Sequence, residues 1–134
     1  MDENIYSLLL KSATGLTLLG TLRYSIDFTT ALDASADRQQ QAATIGGVVY
    51  PARGSITIPF LTGMQPVPLS GFAIYVQMGQ PLLNWFYSED AARGLTVQFN
   101  PIGFERIAGG LLSQLPNSNV VEYAFLGRRI ALPA

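Results

Sequence analysis

Catalysis needs acids, bases, nucleophiles or metal ligands at useful spacings, and this chain offers few. It contains no histidine and no cysteine, which removes the commonest general base, the commonest metal ligand and the thiol nucleophile. Asp33 and Asp37 stand four apart with Ser35 between them. On a helix they would share a face, and on a loop they could offer oxygens to Ca²⁺. A calcium loop needs more oxygen ligands and a closing glutamate, so the pattern reads as a solvated polar face. Glu89 and Asp90 precede Arg93, and Glu105 follows further along the chain. A glycosidase needs two carboxyl groups placed on either side of a sugar, which neighbouring acids on a charged turn do not supply. The phosphate loop GxxxxGK[ST], the dinucleotide loop GxGxxG, the nucleophile elbow GxSxG and the zinc motif HExxH are all absent. No catalytic, cofactor-binding or metal-binding residue is assigned, no cofactor is expected, and the chain reads as no enzyme.

The remaining candidates are recognition residues. Tyr75, Trp85, Phe86 and Tyr87 could form a sugar-stacking platform, because exposed aromatics on a rigid sheet mark recognition sites. At strand spacing Trp85 and Tyr87 share one face and Phe86 takes the other, so core packing is the plainer reading. Arg106, Arg128 and Arg129 lie outside any basic run and suit inter-subunit ion pairs better than phosphate binding. The expected interface residues are therefore Asp33, Asp37, Arg38, Tyr75, Arg106, Arg128 and Arg129.

Composition supports a surface that meets partners. The chain has 134 residues, a net charge of −1 and only 13% charged residues, about half the usual share. Interface cores are depleted in charge, and Arg is favoured there over Lys; Lys11 is the single lysine beside seven arginines. This balance gives no electrostatic footprint for nucleic acid. The start, Met-Asp-Glu-Asn, lacks the basic region of a signal peptide. The apolar run at Ser7–Gly20 is interrupted by Lys11 and is too short for a membrane helix. The expectation is a soluble chain, with no membrane partner, not exported by a cleaved signal.

The elements that must position these residues read as strands. In Leu16–Phe28, Leu16, Leu18, Leu22, Tyr24, Ile26 and Phe28 share one face, with Gly20 in the same register as a candidate bulge. Ile56, Ile58 and Phe60 alternate with polar residues or proline, a Gly/Pro-rich connection follows, and Phe72, Ile74, Val76 and Met78 alternate again. That is the pattern of a strand pair. Pro59, Pro66 and Pro68 withhold backbone donors, which reads Ile56–Pro68 as an edge segment and Gly71–Met78 as an interior strand. Further strands are expected at Ile5–Lys11 (where a short helix also fits), Val48–Tyr50, Leu82–Tyr87, Leu95–Phe99, Phe104–Ile107, Val120–Leu126 and Arg129–Leu132. Ile107–Leu115 looks like a turn of helix. Residues 29–44 form a polar loop or a short helix. The fold class is mainly β: an antiparallel β-sandwich, jelly-roll-like, or a barrel, with eight or nine short strands and at most one or two short helices. Residues 1–134 read as one β-sandwich domain.

From Ile56 onward the stretches SITIPF, PVPLSGFAIYVQM, LLNWFYS, RGLTVQFNPIGFERI and NSNVVEYAFLGRRI resemble those of small single-domain phage virion proteins, the vertex, decoration and related head or tail proteins. The resemblance implies a non-enzymatic structural protein of a bacteriophage particle, located in the virion. It would form a homo-oligomer and bind copies of itself and other virion structural proteins as a capsid vertex, cement or decoration protein. A tail-tube, tail-adaptor or baseplate role is the alternative, and a carbohydrate- or receptor-binding module that takes a host glycan is another. Leu16–Phe28 and the Asp33–Gln41 segment have no counterpart in that class, and it carries no functional residue onto this sequence.

Overall fold

The computed structural model describes residues 3–29, 48–76, 80–90, 94–103, 105–114 and 120–130. Eight antiparallel strands follow one another around a closed barrel: β1 (Asn4–Ser12), β2 (Thr17–Ile26), β3 (Val48–Thr57), β4 (Val67–Val76), β5 (Gln80–Ser88), β6 (Leu95–Gly103), β7 (Arg106–Ser113) and β8 (Val121–Arg129). A one-turn helix, α1 (Pro59–Thr62), joins β3 to β4. The barrel closes because β8 returns to β1, with Leu8 opposite Gly127 and Leu10 opposite Phe125. Of the architectures expected from the alternation, the barrel is therefore the one formed. No helix among the described residues is long and apolar enough to cross a membrane.

Closure sets a period of two on every strand: one side faces a shared interior and the other the outside. Tyr6, Leu8 and Leu10 point inward from β1, and Leu18, Leu22, Tyr24 and Ile26 from β2. Ile56 and Ile58, then Leu69 and Ala73, then Phe86, Val97, Phe99, Ile107, Leu111, Tyr123 and Phe125 complete one continuous core. Eight strands enclose an interior just wide enough for side chains or one small ligand. Here side chains fill most of it, with Tyr24 against Phe99 at 5.2 Å and Phe86 against Phe99 at 5.9 Å between ring centres.

The longest alternation, Leu16–Phe28, forms β2 as expected, but Gly20 is no bulge. It pairs in register with Leu8, and its bare face lets the Ile58 side chain pass close by. The edge reading of Ile56–Pro68 is corrected: β3 is hydrogen-bonded to β2 on one side and β4 on the other. The prolines behind that reading are accommodated otherwise. Pro59 opens α1, where a missing N–H costs nothing, and Pro66 precedes β4. The Ile107–Leu115 helix is also corrected, because β7 runs through Gly109 and Gly110 as a strand. Pro51 and Pro101 do not stop their strands, and β8 passes unbroken through Gly127. In β4 the apolar face chosen from the alternation is the outer one. Ile74 and Val49 bury each other outside the barrel beside Phe72 and Leu83, while Leu69, Ala73 and Tyr75 face in.

Gly109 shows why glycine is needed inside such a wall. A Cβ there would lie 2.0 Å from the Gln98 carbonyl oxygen of β6, whereas at neighbouring Gly110 the nearest atom would be 3.6 Å away. Gly109→Ala is expected to lower the unfolding free energy by about 1–3 kcal/mol, as overpacking does. Gly110→Ala should change it by less than about 0.5 kcal/mol or raise it slightly by restricting the unfolded chain. Urea unfolding of the two variants beside the parent checks the pair.

Candidate functional site

The two ends of the barrel differ. At the end where β3 turns into β4, Ile58 is fully buried and Leu61 and Thr62 of α1 are tucked against the core. Thr62 Oγ1 accepts from the Ile58 N–H at 3.0 Å and donates to carbonyl oxygen, so the plug is held by its own hydrogen bonds. At the other end the first residues of β1, β3 and β5 meet the last residues of β2, β4 and β8. A concavity of about 510 Å³ opens there, lined by Asn4, Tyr24, Ile26, Phe28, Thr29, Tyr75 and Arg129.

Its walls are aromatic and its rim is polar. Phe28 meets Tyr50 and Tyr75 edge-on, at 5.1 and 5.2 Å between ring centres. Tyr24 stacks on Tyr6 at 6.1 Å. On the rim, Arg129 Nη2 donates to Asn4 Oδ1 at 2.7 Å, and the Asn4 amide reaches back toward the Tyr24 carbonyl at 3.4 Å. Burial pushes the Tyr24 phenol far above its ordinary range; the neighbouring Tyr6, by repulsion and by hydrogen bonding, and Tyr75 add to this, while the Arg129 guanidinium opposes it. Tyr75 is also raised, again chiefly by burial. Both phenols are therefore neutral hydrogen-bonding groups at physiological pH, and neither is poised as a base.

Among the described residues, one buried side-chain atom in the wall has no hydrogen-bond partner. Asn84 on β5 faces inward between Ala73 and Phe99 in the strand register. It is 2% exposed, and its Oδ1 finds no hydrogen bond. Leaving a buried amide acceptor unpaired costs about 1–3 kcal/mol.

A second hollow of about 620 Å³ lies on the outer wall, over β1, β2 and β8. Leu9, Leu19, Ile102 and Leu126 line it, with Arg106 and Arg128 at one end.

The structure thus separates the expected interface residues. Tyr75 and Arg129 come together at the barrel mouth, and Arg106 and Arg128 face each other across β7 and β8 on the outside. Asp33, Asp37 and Arg38 lie outside the described residues. The aromatic platform is not assembled: Trp85 stacks on Phe72 on the outer face at 6.4 Å, Tyr87 is exposed beside it, and Tyr75 points inward. Glu89 and Asp90 follow β5 at the α1 end, where Glu89 accepts from Ser70 Oγ, while Glu105 sits in the turn before β7 at the mouth end. They cannot flank one sugar. Among the described residues no group of acids could hold a metal ion. Asn4, Tyr24, Phe28 and Asn84 were not singled out from the sequence. The usable signal was the shared face of Tyr24, Ile26 and Phe28, whose last members must stand at a barrel rim once the sheet closes.

No protein-family model and no curated protein matches this sequence. Among solved structures, an S-type phycobiliprotein lyase from Guillardia theta resembles the fold at 6% identity and a TM-score of 0.49, over 100% of this chain and 89% of its own. That neighbour is a lyase and no virion component. The expectation of a non-enzymatic phage structural protein, in its capsid, tail and receptor-binding forms alike, finds no support in these comparisons and is withdrawn. A closed barrel has no free edge on which copies could add strand to strand. A likeness at this level carries no activity onto the present chain.

Two outcomes follow for the site's polar groups. Asn84→Leu is expected to leave stability unchanged or raise it by about 1 kcal/mol, because it removes an unpaired acceptor at similar volume. Asn84→Asp should destabilise, and more so as pH rises, since the buried carboxylate would have to ionise. Urea unfolding at two pH values separates them. For Tyr24, a folded pKa above the unfolded value of about 10 means that its contribution to stability is complete below pH 10 and lost above it. Absorbance titration near 295 nm should show Tyr24 ionising only with alkaline unfolding, and Tyr24→Phe should lower the amplitude of that step by the share of one tyrosine.

Proposed function

We propose that this chain binds a small, flat, largely apolar molecule at the open end of its barrel. The observation that carries this reading is the asymmetry of the two ends. Among the described residues, one is plugged by α1, and the other keeps a cavity of about 510 Å³ walled by Tyr24, Ile26, Phe28 and Tyr75. Ligand sites are concave and mostly apolar, with a few placed polar groups, and barrel mouths are a favoured location. The edge-on rings of Phe28 and Tyr75 offer faces and edges to a planar guest. Arg129 and Asn4 at the rim fix its orientation by meeting an acceptor. The described phenols of this lining are neutral, so they offer a guest hydrogen bonds without charge.

A neutral fluorescent probe, N-phenyl-1-naphthylamine, tests the reading. Saturable one-to-one binding is expected, weakened roughly tenfold by Phe28→Ala or Tyr75→Ala, in line with the burial each ring supplies. Leu9→Ser on the outer wall should leave it unchanged. Absence of saturable binding, or equal affinity in the mouth variants, contradicts the proposal.

A further inference from the structure

Outside the barrel, a separate hollow shows a combination of residues that folding alone does not call for. Leu19, Leu9 and Leu126 lie side by side on three neighbouring strands, since Leu9 is opposite Leu19 on one side and Leu126 on the other. All three point to solvent: Leu19 is 70% exposed, and Leu9 and Leu126 are at least half exposed. With Ile102 they line a cavity of about 620 Å³. At its end, Arg106 and Arg128 stand directly opposite one another across β7 and β8. Like charges in that position disfavour the sheet. Among the described residues neither arginine has an ion-pair partner.

We propose that this hollow binds a single-chain anionic amphiphile, a free fatty carboxylate, with its chain along the leucine row and its head group between Arg106 and Arg128. Charge complementarity selects the head group: two unpaired guanidinium groups side by side are suited to an anion that accepts from both. The leucine row selects the tail. Crossing three strands it spans roughly 10 Å, the reach of a medium-length acyl chain. The space between these side chains fits one chain, and the vesicle arm of the test separates the free molecule from a bilayer surface. The site does not rest on the barrel-mouth reading and lies on the opposite side of the β1 and β8 wall.

The test is titration of the whole chain with decanoate below its micelle concentration, followed by amide NMR shifts and calorimetry, with decanol as the neutral counterpart. Saturable shifts are expected at Ser7–Leu9 and Leu126–Arg128, with N-phenyl-1-naphthylamine left bound at the mouth. The double variant Arg106→Gln/Arg128→Gln should bind decanoate about tenfold or more weakly, the loss expected for charge-assisted contacts, and should bind decanol as the parent does. Leu9→Ser/Leu126→Ser should lose both. The proposal is overturned by shifts confined to Phe28 and Thr29, by equal binding of decanoate and decanol, by an unaffected arginine variant, or by binding to anionic phospholipid vesicles without binding of free decanoate.

Discussion

Everything in this structure depends on the ladder between β1 and β8, which joins the two ends of the sheet. Ser7 to Ser12 pair with Tyr123 to Arg128 in unbroken register. Once that seam forms, no strand keeps an unpaired edge, and every strand has one face turned to a common interior. The interior then has a fixed width, and the inward residues must fill it without collision. Gly109 and Gly71 stand where a β-carbon would strike the carbonyl oxygen of the next strand. Phe86, Phe99 and Tyr24 occupy the space so released. A closed wall, small residues at its tight points and large rings at its centre are parts of one solution.

The same constraint explains where binding surfaces remain. Among the described residues, a barrel packed at its waist and plugged at one end by α1 leaves its mouth and its outer wall to receive a guest. At the mouth, strand register brings residues from both ends of the chain together: Asn4 and Arg129 are hydrogen-bonded although 125 positions apart. On the outer wall, the alternation that sends Leu8 and Leu10 inward obliges Leu9 outward, where it meets two more leucines. Arg128 and Arg129 divide in the same way, one to the wall and one to the rim.

Much of the architecture was legible in the sequence. Period-two alternation located β2 and the strands on either side of the Gly/Pro connection, and the antiparallel all-β class followed. Face assignment was less secure where both faces are apolar. Phe72 and Ile74 look like core by pattern, yet they form an outer cluster with Val49 and Leu83, and Ala73 and Tyr75 take the inside. Proline was over-read as an edge mark, because a barrel uses it in a helix turn and at strand starts as well. The turn of helix expected at Ile107–Leu115 gives way to β7, where the close approach of β6 requires glycine at position 109. The candidate sites were barely legible. Tyr75, Arg106, Arg128 and Arg129 were chosen as interface residues, but only closure of the sheet sorts them into a mouth and a wall.

The central claim is that the barrel is closed through β1 and β8, and native-state amide hydrogen exchange tests it most directly. Amides that bond across the seam, those of Ser7, Leu9 and Lys11 on β1 and of Ala124, Leu126 and Arg128 on β8, are predicted to be protected to the level of Val97 and Phe99 in the interior ladder, with free energies of opening near that of global unfolding. Exchange of the β1 and β8 amides at rates typical of an open sheet edge, with the rest of the ladder still protected, would contradict the closed barrel and with it both binding surfaces derived from it.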